Sequence, residues 1–184
     1  MSSHKHFGEG KTSNWHHPEI SLESIGLRSG MTFMDVGCGI GFFTIQAANI
    51  VGDTGTVYAV DTAASSIDLL KREAAEKGLK NIRAEVAAAE ETIFCDACAD
   101  IVFYSIVLHD FRDPAKVLHN AKRMIKPSGT LVNLDWKKKP MPLGPPLQIR
   151  FSEEQAANLI KQAGFTIESV KDLGSNFYIV TANP

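Results

Sequence analysis

The chain has 184 residues, of which 44% are hydrophobic and 22% are charged, and its formal net charge at pH 7 is −2. This length fits one domain with a sizeable core, and the composition is that of a globular protein, which excludes a disordered chain. The lack of a basic bias argues against nucleic acid as the default partner, and no apolar run approaches the roughly 20 residues that cross a bilayer.

The N-terminal segment, Met1 to Gly10, is polar and rich in His and Gly, so it lacks the apolar core of a signal peptide. The cysteines number three, an odd and small count that argues against a disulfide framework and agrees with a reducing compartment. We therefore expect a cytoplasmic protein with a single domain over residues 1–184, in which residues 1–18 form a flexible or lid-like segment.

Short runs of strand character alternate with segments of helical spacing from residue 32 to residue 136. The predicted strands are Thr32–Val36, Thr56–Val60, Ile82–Val86, Asp100–Val107 and Thr130–Trp136. The predicted helices are Phe42–Ile50, Ser65–Lys77 and Pro114–Ile125, and a turn is predicted at Lys126–Gly129. The third helix opens with Asp113 as a cap before a proline. Such alternation predicts a parallel sheet with helices on both faces.

Beyond residue 137 the alternation gives way to a proline-rich connection, Pro140–Pro146, which is incompatible with regular secondary structure. A capping box at Ser152 and Gln155 then predicts a helix that runs to about residue 163. The last two runs, Phe165–Val170 and Asn176–Thr181, predict an antiparallel hairpin at the sheet edge. The expected fold is α/β, a doubly wound Rossmann-like sheet of seven strands, mostly parallel with an antiparallel C-terminal strand.

The most informative segment is Asp35–Gly41, a glycine-rich turn between a predicted strand and a predicted helix. Glycines there let the backbone approach a ligand closely, and the helix start exposes amide N–H groups. Asp61 ends the next strand 20 residues beyond Gly41, where a carboxylate accepts hydrogen bonds from ribose hydroxyls. The predicted cofactor-binding residues of this region are Asp35, Gly37, Cys38, Gly39, Gly41 and Asp61.

A nicotinamide or flavin dinucleotide is the main rival ligand for such a turn, and two features disfavour it. The glycines follow a GxGxG spacing in place of GxGxxG. Asp35 would also stand beside a doubly charged pyrophosphate, where two like charges ~4 Å apart repel by roughly 4 kcal/mol at an effective dielectric of 20. S-adenosylmethionine instead offers an ammonium group to Asp35, a carboxylate to the turn amides and a ribose to Asp61.

Four segments together resemble the seven-strand S-adenosylmethionine-dependent methyltransferases, in particular their small UbiE-like branch. These segments are Gly30–Gly41, Val57–Asp61, Asp100–Phe103 with Leu108–Asp110, and Leu118–Gly129. The resemblance covers nearly the whole chain after about residue 20. It implies that the glycine turn holds the methionyl part of S-adenosylmethionine and that Asp61 holds the ribose.

The resemblance also implies contacts further along the cofactor. The end of the fourth strand, at Tyr104 and Ser105, would face the methionyl amine and the sulfonium, and Thr62 would neighbour the ribose and adenine. The family often has an acidic residue that binds the adenine amine, and its place here is taken by alanines. Backbone groups near Ala87 and Ala88 are therefore expected to bind the adenine edge, and the Glu90 side chain is the alternative.

Methyl transfer from a sulfonium gains mainly from placement and from exclusion of water. His109 follows the fourth strand at the carboxyl edge and is the predicted catalytic residue, a general base where the nucleophile must lose a proton. The alternative is a loop residue that orients Asp110 or Asp113. The expected function is methylation of a small-molecule acceptor by a monomer or homodimer without nucleic-acid or membrane partners. Two alternatives remain, a module that binds S-adenosylmethionine without turnover and a dinucleotide-dependent oxidoreductase.

Other features have competing interpretations. Cys95 and Cys98 have the spacing of half a zinc site, but no second pair accompanies them, so no metal is predicted. The histidines between residues 4 and 17 are ascribed to a flexible N-terminus. Trp136 either lines the acceptor pocket or packs under the proline-rich loop, and Lys137–Lys139 either attract an anionic acceptor or stay solvated.

Overall fold

The computed structural model of the chain describes residues 18–184. The strands are β1 (Thr32–Val36), β2 (Thr56–Asp61), β3 (Ile82–Val86), β4 (Ala99–Ser105), β5 (Ile125–Trp136), β6 (Thr166–Leu173) and β7 (Phe177–Asn183). The α-helices are α1 (Pro18–Ser24), α2 (Phe42–Val51), α3 (Ala64–Glu76), α4 (Pro114–Met124) and α5 (Glu153–Gln162). Two single-turn 3-10 helices, Ala89–Glu91 and Leu108–Asp110, follow β3 and β4.

All seven strands belong to one sheet in the order β3-β2-β1-β4-β5-β7-β6. The pairs from β3 across to β5 are parallel, whereas β7 is antiparallel to both β5 and β6. The chain order reverses between β1 and β4, and ligands of open α/β sheets bind outside the carboxyl ends of the strands at such a point. The predicted fold is confirmed, and Asp35 and Asp61 lie at the carboxyl ends of β1 and β2, beside this point.

The sheet is buried on both faces, which explains why its central strands are continuous apolar runs. On one face, Tyr104 and Val102 of β4 pack in a cluster with Leu118 of α4 and Ile160 of α5. The opposite face carries an aromatic group in which Phe33 and Phe103 have ring centroids 5.5 Å apart. Phe43 of α2 lies 4.9 Å from the Phe103 ring. Burial against α1 and α2 completes this second cluster.

Two helix starts confirm the sequence predictions. The Asp113 side chain accepts a hydrogen bond from the Lys116 amide at 3.0 Å, directly before Pro114. At α5, the Ser152 hydroxyl accepts from the Gln155 amide while the Gln155 side chain accepts from the Ser152 amide, which completes the capping box. These caps satisfy amide N–H groups that a helix start otherwise leaves without partners.

The predicted turn at Lys126–Gly129 is wrong, because β5 already begins at Ile125. The ladder with β4 shifts register between Ala99 and Ile101, so the extra residues of β5 form an irregularity within the strand. A Cβ atom on Gly129 would lie 2.8 Å from the Ala99 carbonyl oxygen, which makes glycine necessary at this close approach. Proline, serine and glycine are common in turns, but they also suit such bulges.

The strand β4 ends at Ser105, two residues earlier than predicted. Ile106 adopts a left-handed φ of 57°, and its N–H donates to the Leu134 carbonyl at 2.7 Å, so the chain turns away from the sheet there. The helix α1 and both 3-10 helices have no counterpart in the sequence prediction. Residues 1–17, which are all but the last residue of the predicted flexible segment and include its histidines, lie outside the described part of the chain. Across residues 18–184, no helix combines the length and apolar character that spanning a membrane requires.

Candidate active site

The glycine-rich turn between β1 and α2 has a backbone that favours glycine. Gly37, Gly39 and Gly41 have φ angles of 78°, 54° and 93°, all in the left-handed region. The amides of Gly37 and Cys38 both donate to the Val60 carbonyl, at 2.8 and 3.1 Å. These bonds fix the turn against the carboxyl end of β2.

The glycines of the turn differ in the space around them, which gives a matched pair of variants. A Cβ on Gly41 would lie 2.4 Å from Cδ1 of the fully buried Leu70, whereas a Cβ on Gly39 would meet nothing within 4 Å. We expect Gly41→Ala to lower the free energy of unfolding by about 3 kcal/mol, from left-handed strain plus overpacking. Gly39→Ala should cost only about 1 kcal/mol, since it adds the strain alone. Chemical denaturation measures both, and equal losses would contradict this assignment.

Asp35 lies beneath the turn with only 1% of its surface exposed. Its Oδ2 accepts a hydrogen bond from the Thr44 hydroxyl at 2.6 Å, while Oδ1 has no hydrogen-bond partner among residues 18–184. Burial raises the pKa of Asp35 to about 7, against the lowering effect of the Thr44 hydrogen bond, and the Asp61 carboxylate raises it further. A buried carboxyl with an unused oxygen is suited to a cationic group, whose charge would lower this pKa again.

Asp61 joins the end of β2 to the glycine turn. Its Oδ2 accepts from the Gly39 amide at 2.8 Å, and its Oδ1 accepts from the Ala63 amide at 2.9 Å. A carboxylate oxygen has two lone pairs, so Asp61 orders the turn and still has capacity for hydroxyl groups of a ligand. Thr62, the predicted neighbour of the ligand, is exposed at the same edge.

The segment after β3 is tied both to β2 and to α4. The Ala87 amide donates to the Asp61 carbonyl at 3.1 Å, and the Ala88 carbonyl accepts from the Thr92 hydroxyl at 2.8 Å. The buried Glu90 carboxylate accepts from the Asp113 amide at 3.2 Å. Glu90 is thereby engaged at the start of α4, which disfavours its alternative role at an adenine ring.

The end of β4 borders the same crevice through its main chain. The Tyr104 ring is fully buried under α4, with its hydroxyl 3.5 Å from the Val117 carbonyl oxygen, so it does not face the crevice. The predicted contact of Tyr104 with the methionyl amine and sulfonium can therefore involve only its backbone. The neighbouring Ser105 is half-buried. A Cβ on Gly37 would lie 2.4 Å from Cγ2 of Val107, which shows that the segment after β4 packs directly against the glycine turn.

His109, two residues beyond Val107, forms a buried pair with Asp135 at the end of β5. Its Nδ1 lies 2.8 Å from Asp135 Oδ2, and the two side chains are 1% and 0% exposed. Asp135 Oδ1 accepts from the Trp136 amide at 2.7 Å. Burial lowers the pKa of His109, but the hydrogen bond and charge of Asp135, with the charge of Asp110, outweigh it, so the pKa lies above 6.5. The arrangement resembles the base and its orienting carboxylate in catalytic triads.

Asp135 is a site residue that sequence reasoning missed. Its strand was recognised as a buried run, and the carboxylate within the run was not singled out. The available signal was its position near the carboxyl end of a parallel strand, the same placement that marked Asp35 and Asp61.

A buried arginine fixes the proline-rich segment after β5. Arg150, 3% exposed, donates hydrogen bonds of 2.8 to 3.3 Å to four backbone carbonyls of that segment. The acceptors are Lys137, Lys139, Leu143 and Pro145. Five donors on a planar guanidinium suit such a set. Arg150 had no role in the sequence predictions. Its hydrogen bonds fix the conformation of the segment 137–146, which we call the cover because it follows the end of β5.

The cover rests on Trp136. Its ring lies 4.2 Å from the Phe177 ring, and a Cβ on Gly144 would come within 2.9 Å of it. Of the two interpretations of Trp136, packing under the proline-rich loop is the one observed. Lys137 pairs with Asp172 at 2.7 Å, so this lysine is tied to the C-terminal hairpin.

The Cys95 and Cys98 side chains lie against each other, with their Cα atoms 6.0 Å apart. The pair lies before β4, at the sheet edge opposite the crevice. Within residues 18–184 no group of three or more His, Cys, Asp or Glu side chains is placed to hold a metal ion. The remaining cysteine, Cys38, is buried in the glycine turn, and burial raises the pKa of its thiol.

Comparison with known proteins identifies the family of this chain. A family described as a methyltransferase domain matches residues 27–176. The chain belongs to the class I S-adenosylmethionine-dependent methyltransferases. The family prediction from the sequence is therefore confirmed, and so is S-adenosylmethionine as the cofactor of the family.

Individual relatives agree with this assignment. The chain matches a ubiquinone/menaquinone biosynthesis C-methyltransferase UbiE of Vibrio parahaemolyticus with 31% identity over 65% of the chain and 46% of that relative. It matches a demethylmenaquinone methyltransferase of Staphylococcus aureus with 30% identity over 66% of the chain and 50% of that relative. The chain thus spans about half the length of the curated relatives it matches.

Solved structures extend the comparison. An S-adenosylmethionine-dependent methyltransferase from Aquifex aeolicus superposes with a TM-score of 0.85 and 31% identity, over 90% of this chain and 88% of that one. The [4+2]-cyclase SpnF superposes with a TM-score of 0.78 over 96% of this chain and 85% of that one, but at 16% identity it shows a shared fold alone.

The residues of this chain fit S-adenosylmethionine. The buried Asp35 Oδ1 without a partner suits the ammonium group. The open space at Gly39 lets a ligand approach the backbone, and Asp61 retains capacity for ribose hydroxyls. These are features of this chain's own side chains and backbone, independent of the relatives.

Proposed function

We propose that this chain transfers the methyl group of S-adenosylmethionine to a small-molecule acceptor, with His109 accepting the proton that the acceptor loses. The observation that carries the proposal is the buried His109–Asp135 pair, two residues beyond Val107, which packs against the glycine turn. A cofactor-binding module without turnover has no need of an imidazole whose orientation is fixed in this way.

The proposed cofactor contacts follow the crevice from β1 to β3. Asp35 binds the ammonium group, and the turn at Gly37, Cys38, Gly39 and Gly41 receives the carboxylate. Asp61, with Thr62 beside it, binds the ribose. The Ala87 amide and Ala88 carbonyl already have protein partners, so the adenine edge is assigned to the Ala87 carbonyl and the Ala88 amide. The backbone of Tyr104 and Ser105 borders the methionyl side.

S-adenosylmethionine supplies a methyl group that is already activated on a sulfonium. The chain therefore needs to orient the nucleophile, exclude water and remove a proton. Asp135 accepts the hydrogen bond from Nδ1–H of His109, which leaves the Nε2 lone pair to take the proton of a hydroxyl, amine or acidic carbon. The Asp135 carboxylate then stabilises the imidazolium that results.

The acceptor class is proposed from the relatives and from the cover. The named activities of the curated relatives concern the biosynthesis of ubiquinone and menaquinone, which are small organic molecules. In this chain the cover over β5 is a short segment fixed by Arg150. We assign a small organic acceptor with an ionisable proton, without nucleic acid as a partner. A cytoplasmic location and a monomeric or dimeric state stay predictions.

The proposal is tested by incubating the chain with methyl-labelled S-adenosylmethionine and a panel of phenols, amines and acidic carbon compounds. Transfer of label to at least one acceptor, with stoichiometric S-adenosylhomocysteine, is the expected result. Loss of that transfer in His109→Gln would support the assigned base. Tight cofactor binding without transfer to any acceptor would favour the binding module, and dinucleotide-dependent reduction would favour the oxidoreductase.

A further inference from the structure

We propose that the acceptor is an amine that binds as its ammonium ion, and that Asp110 is the residue that holds this cation beside the base. The inference deepens the proposed function and rests on it, because it names the chemical class of the acceptor at the same site. Among hydroxyl, amine and acidic-carbon acceptors, the charges around His109 favour the amine. This choice would set the chain apart from the UbiE relative, which is named as a C-methyltransferase.

The outer nitrogen of the base faces an exposed carboxylate. His109 Nε2 lies 3.7 Å from Asp110 Oδ1, and the two side chains are 1% and 50% exposed. On the other side of the ring, Nδ1 is engaged by Asp135 Oδ2 at 2.8 Å. An acceptor that gives its proton to Nε2 therefore lies beside the Asp110 carboxylate.

The position of Asp110 is fixed by the 3-10 turn that carries it. Its amide donates to the Val107 carbonyl at 2.9 Å, and the adjoining Leu108 side chain is fully buried. After it, the Phe111 ring packs edge-on against the Tyr104 ring, with centroids 6.0 Å apart. Since Val107 itself packs against the glycine turn, the carboxylate is held three residues from that contact.

The charge of Asp110 is not offset by a cation of the described chain. No lysine or arginine among residues 18–184 forms an ion pair with it. Burial and the Arg150 charge lower the pKa of His109, whereas the hydrogen bond and charge of Asp135, with the charge of Asp110, raise it above its ordinary value. The Nε2 side of the ring is therefore bordered by an uncompensated negative charge.

The three lysines after β5 are engaged with the C-terminal part of the chain. Their partners are a carboxylate, an amide oxygen and a backbone carbonyl at 2.7, 3.1 and 2.6 Å, in the pairs Lys137–Asp172, Lys138–Gln155 and Lys139–Ser175. The buried Arg150 guanidinium is likewise occupied by four backbone carbonyls of the cover. These contacts disfavour the alternative that the lysines attract an anionic acceptor.

The Asp110 charge separates the three acceptor classes. A phenol or an acidic carbon becomes an anion when it loses its proton to Nε2, and that anion would form beside a carboxylate of the same charge. An ammonium ion becomes a neutral amine, so no second negative charge develops there. The ammonium ion also gains a charge-assisted hydrogen bond to the carboxylate when it binds.

The transfer step is balanced for an ammonium acceptor. One N–H bond breaks, its proton moves to His109 Nε2, and the electron pair stays on the nitrogen. The nitrogen then bonds to the methyl carbon, while the bond from that carbon to sulfur breaks and leaves its electron pair on sulfur. The products are the methylated ammonium ion, S-adenosylhomocysteine and an imidazolium that faces both Asp135 and Asp110, so the number of positive charges is unchanged.

The test compares three acceptors that lose a proton with similar ease in water. These are benzylamine, phenol and acetylacetone, each offered with methyl-labelled S-adenosylmethionine at neutral pH. We expect kcat/KM for benzylamine to exceed that for the other two by about tenfold or more, because like charges at a binding site disfavour the anionic partners. Preference for phenol or acetylacetone would overturn the amine assignment.

Asp110→Asn removes the charge with little change of shape. In this variant kcat/KM for benzylamine should fall about 10- to 100-fold, the usual worth of a hydrogen bond to a charged group, while kcat/KM for phenol should not fall. The ratio between acceptors is the decisive quantity, because a changed pKa of His109 affects both alike. Equal losses for all acceptors would overturn the selective contact.

Two further variants control for structure. Asp110→Glu keeps the charge and should retain the preference for benzylamine. Asp53→Asn neutralises an exposed carboxylate between α2 and β2, at the amino edge of the sheet, and should behave as wild type. An Asp53→Asn variant with the same altered ratio as Asp110→Asn would show a general charge effect and would contradict the proposal.

A binding readout without transfer separates this inference from the proposed function. Nuclear magnetic resonance of the His109 ring is followed while benzylammonium or benzoate is added, with and without S-adenosylhomocysteine. Saturable shifts with benzylammonium that weaken in Asp110→Asn, and none with benzoate, are expected. If no acceptor is methylated, the proposed function fails, while these shifts still decide the cation site. Lack of a saturable shift with benzylammonium would overturn it.

Discussion

Replacement of Asp61 by alanine is expected to weaken S-adenosylhomocysteine binding about 100-fold, because it removes charge-assisted hydrogen bonds that are each worth roughly 1.5–3 kcal/mol. The carboxylate is assigned to the ribose, and it also holds the Gly39 and Ala63 amides at 2.8 and 2.9 Å. Its loss therefore removes ligand contacts and loosens the glycine turn at once. Calorimetric titration of wild type and variant measures the difference directly.

Two controls sharpen this experiment. Asp61→Asn keeps one acceptor oxygen but loses the charge and the second acceptor, so its affinity should fall by about tenfold. Asp68→Ala removes an exposed carboxylate from α3 and should leave the affinity unchanged. Wild-type affinity in Asp61→Ala would contradict the assignment of the ribose to this residue, whereas equal losses in both alanine variants would point to a general charge effect.

Loss of the His109 base is expected to lower the rate of methyl transfer by a factor of about 10²–10⁴, the usual contribution of general base catalysis. His109→Gln removes the proton acceptor while keeping a side chain of similar length. Asp135→Asn keeps the shape of the partner but lets it donate to Nδ1, which favours the wrong imidazole tautomer. Affinity for S-adenosylhomocysteine should change little in both variants, since neither side chain is assigned to the cofactor.

The pH dependence follows from the raised pKa of His109. The base acts in its neutral form, so the rate should rise as pH passes upward through this pKa, above 6.5 in the wild type. In Asp135→Asn the rising limb should move to lower pH, because the carboxylate that raises the pKa is gone. A pH profile unchanged by this substitution would contradict the assigned pair.

The same titration has a consequence for stability. A histidine whose folded pKa exceeds its unfolded value stabilises the folded state fully at pH below the unfolded pKa. That contribution is lost as pH rises through the folded pKa. Wild type should therefore lose more stability than Asp135→Asn as pH rises from below 6.5 through the raised value. Nuclear magnetic resonance of the His109 ring follows the same titration without an acceptor.

The fold was predictable because its signals are local. Alternating strand and helix patterns, the cap at Asp113 and the capping box at Ser152 depend on neighbours within a few residues. The bulge at Lys126–Gly129 was not predictable, because it depends on how β5 approaches the Ala99 carbonyl of another strand. The same residue types occur in an ordinary turn.

The site was predictable where it depends on strand ends. Asp35 is the penultimate residue of β1 and Asp61 ends β2, so their position in the sequence already places them at the carboxyl edge of the sheet. The pairing of His109 with Asp135 arises only when β4 and β5 lie side by side, 26 residues apart in the chain. The role of Arg150 could not be predicted either. Its acceptors are backbone carbonyls, which every residue has, so the sequence does not identify them.

The central claim, that this crevice binds S-adenosylmethionine, is tested most directly by calorimetric titration of the wild-type chain with S-adenosylhomocysteine and, separately, with NADH. The account predicts saturable binding of S-adenosylhomocysteine with one site per chain and no binding of NADH, because the glycine turn lacks the GxGxxG spacing of dinucleotide sites. Preference for NADH, or no binding of S-adenosylhomocysteine, would contradict it.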